Sequence, residues 1–205
     1  MTNVLINDTS MTSIGNAIRS KLGVETTYLP SEMASAIQSI PSGGAASDTM
    51  VERTATSITN STASVVGQYA FGYYYDLQSV SLTNVSELKM YAFLGSSSLE
   101  NADIPNLSVV GGQAFNGCKK LQSISMPNAT TIGAYAFRDC SVLTQVVVGT
   151  NKSTVCTGSN NMFYGTPIAS GNGYIYVPDN LVSQYKSASG WSTYASQIKG
   201  ISEIS

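Results

Sequence analysis

The chain has 205 residues, of which 42% are hydrophobic and only 11% charged, with a formal net charge of −2 and no histidine. Such a composition belongs to a folded chain with a nearly neutral surface, and it offers no basic stripe for nucleic acid or anionic lipid. The missing imidazole also removes the serine, cysteine and metal sites that most often depend on it.

Residues 1 to 41 read as a separate helical module. Val4-Leu5-Ile6 is a short extended start, Thr9-Ser10 offers an N-cap, and Met11, Ile14, Ala17, Ile18 and Leu22 fall at helical spacing until Gly23. Pro30 opens a second short helix through Met33, Ala36, Ile37 and Ile40, which Pro41 ends. A hairpin this small has little core of its own, so it is expected to pack on the rest of the chain, to self-associate or to dock on a larger assembly. The words I-G-N-A-I-R-S-K-L-G and Y-L-P-S-E-M-A-S-A-I resemble a short N-terminal module of phage and prophage structural proteins, with Leu29 where that module has Ser or Thr. The start MTNVLINDTSMTS lacks the charged and apolar regions of a signal peptide, and no apolar run approaches a membrane span, so neither a classical export signal nor membrane insertion is expected. Residues 42 to 53, rich in Gly, Ser and Ala at their start, read as a linker.

The stretch from 54 to 150 repeats one pattern. Phe71, Phe93, Phe115 and Phe137 are spaced by 22 residues, and Leu77, Leu99, Leu121 and Leu143 follow at the same interval. Val66, Leu88, Val110 and Ile132 open the units, and Ala70, Ala92, Ala114 and Ala136 precede each phenylalanine. A fixed period of this size marks a solenoid, in which each unit buries its apolar face against its neighbours. The run Leu143, Val146, Val148 reads as a short strand whose last two apolar residues point to one face. Its alternate positions face outward, giving Ser79, Asn101, Ser123, Gln145 and then Ser81, Asp103, Ser125, Val147. The Ala-Phe segment is expected as a short helix or 3₁₀ turn that forms the opposite wall. Residues 54 to 64 read as a degenerate first unit, with Ile58 in the Val80 column.

From 151 to 205 the chain reads as a C-terminal cap. Phe163 falls 26 residues after Phe137, so a loop is inserted around 153 to 161. Thr166-Pro167-Ile168 and Tyr174 to Val177 are expected as two extended pieces about a glycine-rich turn. A helix is expected from Pro178 through Leu181, Val182 and Tyr185, interrupted at Gly190 and continued by Trp191, Tyr194 and Ile198.

The unit I-G-x-x-A-F-x-x-C-x-x-L-x-x-V-x-V, with Pro105-Asn106 and Pro127-Asn128, resembles the BspA-like class of leucine-rich repeats over about residues 57 to 150. The resemblance implies an α/β leucine-rich-repeat solenoid with short parallel strands, here flanked by a helical hairpin and a mixed α/β cap. It also implies a protein-binding or adhesive scaffold without catalytic residues to carry over. The words I-Y-V-P-D-N-L-V-S-Q-Y-K and W-S-T-Y-A-S-Q-I-K resemble the ending that follows such repeats in phage and gut-bacterial proteins.

Chemistry has few footholds. Cys118 and Cys140 share a column, with Cys156 beyond them, and read either as buried free thiols or as a Cys118–Cys140 disulfide. No metal ligand set, phosphate loop or cofactor motif is present, and the carboxylates Glu100 and Asp103 are the nearest approach to a glycosidase pair. Charge is mixed, with Lys89, Lys119, Lys120 and Arg138 set against Asp76, Glu87, Glu100, Asp103 and Asp139. Aromatic residues are better candidates: Tyr69, Tyr91 and Tyr135 share a column with Gln113, and Tyr73, Tyr74 and Tyr75 crowd one turn. The candidate binding residues are therefore Tyr73, Tyr74 and Tyr75 together with the outward strand residues Ser79, Ser81, Asn101, Asp103, Ser123 and Ser125. The function expected from these readings is a non-enzymatic structural or adhesion protein on a phage tail or at a cell surface, binding a bacterial surface protein or glycan. The alternatives are a bacterial interaction module exported without a classical signal and, more distantly, a carboxylate-dependent glycosidase.

Overall fold

A computed structural model describes residues 4–5 and 55–204. The two expected N-terminal helices, the linker and the opening of the first unit lie outside the described residues.

Each 22-residue unit makes one coil with two strands, all of them parallel to their neighbours. The longer strands are β2 (Ser57–Thr59), β4 (Ser79–Ser81), β6 (Asn101–Asp103), β8 (Ser123–Met126), β10 (Gln145–Val148), β12 (Tyr174–Val177) and β13 (Ile198–Gly200). The shorter ones are β1 (Val4–Leu5), β3 (Val65–Val66), β5 (Glu87–Leu88), β7 (Val109–Val110), β9 (Thr131–Ile132) and β11 (Thr157–Gly158). The short strands form one six-stranded sheet in the order β1-β3-β5-β7-β9-β11. The long strands divide into β2-β4-β6 and β8-β10-β12-β13, so the ladder is interrupted after β6. Ala102 stands there, half-buried, in the column that Val80, Ile124 and Val146 fill as buried residues.

The second sheet is a correction to the sequence reading, which gave the wall opposite the long strands to a short helix or 3₁₀ turn in each unit. It eluded the alternation test because only one residue per short strand faces inward. Val66, Leu88, Val110 and Ile132 are buried, while Val65, Glu87, Val109 and Thr131 are half-exposed. The Ala-Phe segment is likewise a chain of tight turns, not a helix, and forms an arc joining a short strand to a long one.

The core is a set of columns running through the coils. Phe71, Phe93, Phe115, Phe137 and Phe163 stack with ring centroids 5.1, 5.3, 5.3 and 5.5 Å apart. Each buried ring contributes roughly 1.5–3 kcal/mol by leaving water. Edge-on tyrosines close the stack, Tyr74 against Phe71 at 5.8 Å and Tyr194 against Phe163 at 5.3 Å. Polar columns satisfy backbone groups at the turns. Asn106 and Asn128 donate from Nδ2 to the carbonyls of Thr83 and Pro105 in the preceding coil, at 2.7 and 3.0 Å. Ser108 and Thr130 do the same from their hydroxyls to Ser86 and Ser108. Such bonds keep neighbouring coils in register without charged groups.

The coiling survives the insertion at the C-terminal end. Four extra residues are absorbed between Val148 and Thr157, after which Thr157 pairs with Thr131. β12 then pairs in parallel with β10, so Tyr174–Val177 is a further long strand and not the arm of a hairpin. The expected helix is shorter than read: a 3₁₀ turn at Asp179–Leu181 leads into α1 (Val182–Ser187), and a second 3₁₀ turn spans Ser192–Tyr194. Ile198, taken as helical, lies in β13, which pairs with β12. Trp191 and Tyr185 fasten the inserted loop: Trp191 donates from Nε1 to the Cys156 carbonyl at 2.7 Å, and the Cys156 amide donates to the Tyr185 hydroxyl at 2.9 Å.

Candidate binding surface

The arc between the two walls has a demanding backbone. Alternate amides serve different partners. In the second full coil the N–H groups of Tyr91, Phe93 and Gly95 donate to the next coil at Gly112, Ala114 and Asn116, while those of Ala92, Leu94 and Ser96 close turns within their own coil. Turning every second amide outward requires left-handed residues at two places per coil. The first place holds Tyr69, Tyr91, Gln113, Tyr135 and Asn161, all with φ between 55° and 63°. The second holds Tyr73, Gly95, Gly117, Asp139 and Gly165, with φ between 56° and 76°. Glycine and asparagine take this conformation readily, whereas a bulky residue there costs on the order of 1–2 kcal/mol. Four tyrosines on one edge therefore sit where their own backbone disfavours them.

Their side chains line that edge. Tyr69 and Tyr91 stack at 4.8 Å with their planes 13° apart, and both are half-buried. The Tyr91 hydroxyl accepts from Gln113 Nε2 at 3.2 Å, and Gln113 in turn accepts from Asn116 at 2.9 Å. Tyr73 leans over Gly95, where any Cβ would come within 2.9 Å of its ring, and it stays 40% exposed beside Tyr75 at 60%. Tyr74 is a correction: the expected cluster of three is a surface pair, because Tyr74 is buried against Phe71. Further along the same edge Arg138 lies in the corner between Tyr135 and Tyr164, 5.5 and 5.3 Å from their ring centroids. Tyr164 was not singled out from sequence. Counting one place on from Phe163, as Arg138 is from Phe137, would have put the two side by side.

The outward strand face is quieter. Asn101, Asp103, Ser123 and Ser125 are exposed, and Ser79 and Ser81 half-exposed. Ser81 donates to Asp103 at 3.1 Å. Tyr174 continues the Gln145 column at 40% exposure, with the Lys199 ammonium 3.8 Å from its ring centroid. Glu100 pairs with Lys120 at 3.1 Å, and both it and Asp103 are exposed, outside any cleft that would enclose a sugar ring between them.

The cysteine question resolves to free thiols. Cys118 and Cys140 each donate from Sγ to a carbonyl one coil back, Phe93 at 3.3 Å and Phe115 at 3.1 Å, as Ser96 does to Phe71 at 2.6 Å. Burial pushes the Cys118 thiol well up and holds Cys140 and Cys156 at about 12. Such thiols are inert as nucleophiles at neutral pH. Among the described residues no cluster of three His, Cys, Asp or Glu could hold a metal ion, and no helix is long and apolar enough to cross a membrane.

Residues 52–185 match the BspA type leucine rich repeat region, in six copies. None of the curated proteins matches the chain. Among solved structures it is similar to a leucine-rich repeat protein from Bacteroides ovatus ATCC 8483, at 23% identity and a TM-score of 0.47 over 70% of this chain and 41% of that one. It is also similar to the T. pallidum leucine rich repeat protein, at 19% identity and a TM-score of 0.42 over 71% of this chain and 85% of that one. The chain thus spans less than half the length of the B. ovatus protein.

Proposed function

This chain belongs to the BspA-type leucine-rich repeat family, and we propose that it is a non-enzymatic protein-interaction module whose partner docks on the tyrosine-lined edge of the solenoid. The observation that carries this reading is the placement of Tyr69, Tyr73, Tyr91 and Tyr135 at left-handed positions that Gly, Gln, Asn or Asp fill in the other coils. Packing alone does not require them there, and strain held at a surface row points to use of that row. Tyrosine suits the task because a large amphipathic ring loses little side-chain freedom on contact.

A second reading uses the long-strand face. Asn101, Ser123 and Ser125 are exposed and make no side-chain hydrogen bond among the described residues, which leaves their polar groups free for a partner. A phage-tail or cell-surface setting belongs to the same proposal and rests on the resemblance of residues 1 to 41 and of the C-terminal words to phage structural proteins.

The test compares three proteins for binding to arrayed bacterial surface proteins and arrayed glycans: the intact chain, a Tyr69→Ser/Tyr75→Ser/Tyr91→Ser variant, and an Asn101→Ala/Ser123→Ala/Ser125→Ala variant. Protein binding lost only by the tyrosine variant is the expected result. Loss only by the strand variant would move the site to the strand face, and binding to glycans alone would overturn the protein assignment.

A further inference from the structure

Arg138 is the sole arginine among the described residues, and its setting is built. Tyr135 and Tyr164, set at 73° to one another, hold the guanidinium from two sides. Asp139 accepts from its Nε at 3.1 Å, and the side chain remains 43% exposed. The ring at Tyr135 is itself fixed, since its hydroxyl accepts from Asn161 Nδ2 at 3.2 Å. Among the described residues, Nη1 and Nη2 have no hydrogen-bond partner in the protein. A guanidinium set against two rings and bonded at Nε, with Nη1 and Nη2 left unpaired by the described residues and the side chain 43% exposed, has already given up much of the side-chain freedom that binding would cost.

We propose that Arg138 is the anchor of the tyrosine edge and that it takes a carboxylate of the protein partner, an Asp or Glu side chain, in a two-point contact through Nη1 and Nη2. The inference rests on the protein-interaction reading above and specifies the partner's chemistry at one place. The flanking charge favours geometry over simple attraction: Asp139 neutralises the arginine locally, so a diffuse positive field is absent and the planar fork is what remains to discriminate. Aromatic walls around an arginine are the composition of a binding hot spot, and Tyr91 and Tyr69, beyond Gln113 on the same edge, extend the contact along the solenoid. The row favours a protein segment over a single sugar because Tyr69, Tyr91 and Tyr135 span four coils of the edge, with Gln113 between the last two.

The experiment is a selection of displayed random dodecapeptides on the intact chain, followed by affinity measurements on Arg138→Gln, Arg138→Lys and the Tyr69→Ser/Tyr75→Ser/Tyr91→Ser variant, each checked for unchanged melting. The expected peptides carry an Asp or Glu beside aromatic or apolar residues, and both arginine variants weaken them by more than about tenfold. Substituting the peptide's own carboxylate by its amide should produce the same loss on the intact chain and none on Arg138→Gln. Peptides that need the tyrosines but bind Arg138→Gln normally would overturn the anchor and leave the interaction edge standing. Retention of no peptide at all would overturn both. Capture of sialylated or glucuronate-bearing oligosaccharides, lost in Arg138→Gln, would reassign the arginine to a glycan and overturn the protein carboxylate.

Discussion

The coils from β4 to β10 and the cap beyond them bury the same columns, yet they hold together by different means. In the coils the core contacts are repeated one period on. Phe93 and Phe115 stack with nearly parallel planes, and each turn borrows a hydrogen bond from the coil before it. In the cap the contacts are single. Trp191, Tyr185 and Tyr194 each bind one backbone group of the inserted loop or of the last repeat turn. A repeat array needs such an end because its last coil would otherwise leave the phenylalanine stack open to water. Periodic stability is shared among many small terms, whereas closure depends on a few side chains with two functions each.

The sharpest way to break that comparison is to remove a central ring. Phe115→Ala is expected to cost about 3–5 kcal/mol, measured by chemical unfolding, because the cavity lies between two stacked neighbours that cannot both close on it. Trp191→Phe tests the cap. It keeps most of the apolar contact but leaves the buried Cys156 carbonyl without its donor, so a loss of about 1–3 kcal/mol is expected.

A third prediction concerns pH and spans both regions. The thiols of Cys118, Cys140 and Cys156 have folded pKa values raised by burial, the latter two to about 12. Above the unfolded thiol value of about 8.5 the unfolded chain releases protons that the folded chain retains, so stability is full below that pH and falls as pH rises toward 12. Each thiol contributes a slope of at most about 1.4 kcal/mol per pH unit. Unfolding measured from pH 8 to 10 should therefore steepen downward, and Cys118→Ser/Cys140→Ser should flatten part of the slope, Ser96 showing that a hydroxyl suits the column. The smallest effect belongs to Ser123→Ala on the exposed strand face, whose melting temperature should be unchanged.

How much of this was legible in the sequence follows the same division. The Phe, Leu and Ala columns, and most of the inward and outward sides of the long strands, could be read because identical demands recur every 22 residues; Val147, read as outward, is buried. The short-strand sheet could not, since two-residue strands leave no alternation to detect. In the cap, Trp191, Tyr194 and Ile198 stand at helical spacing but are placed by separate contacts, and Ile198 is claimed by strand pairing with Ile175. Of the candidate site, Tyr73 and Tyr75 were found correctly at the surface. Tyr74 was misassigned because three adjacent tyrosines hide which one turns inward to cover Phe71. The Arg138 corner was missed because the insertion moves Tyr164 out of the simple period.

The most direct measurement is hydroxyl-radical footprinting of tyrosine side chains, with and without a peptide or protein selected on the intact chain. Protection of Tyr69, Tyr75, Tyr91 and Tyr135, with Tyr174 on the strand face unchanged, is the expected result. Protection of Tyr174 with the edge tyrosines unaffected would contradict it and place the contact on the long-strand sheet.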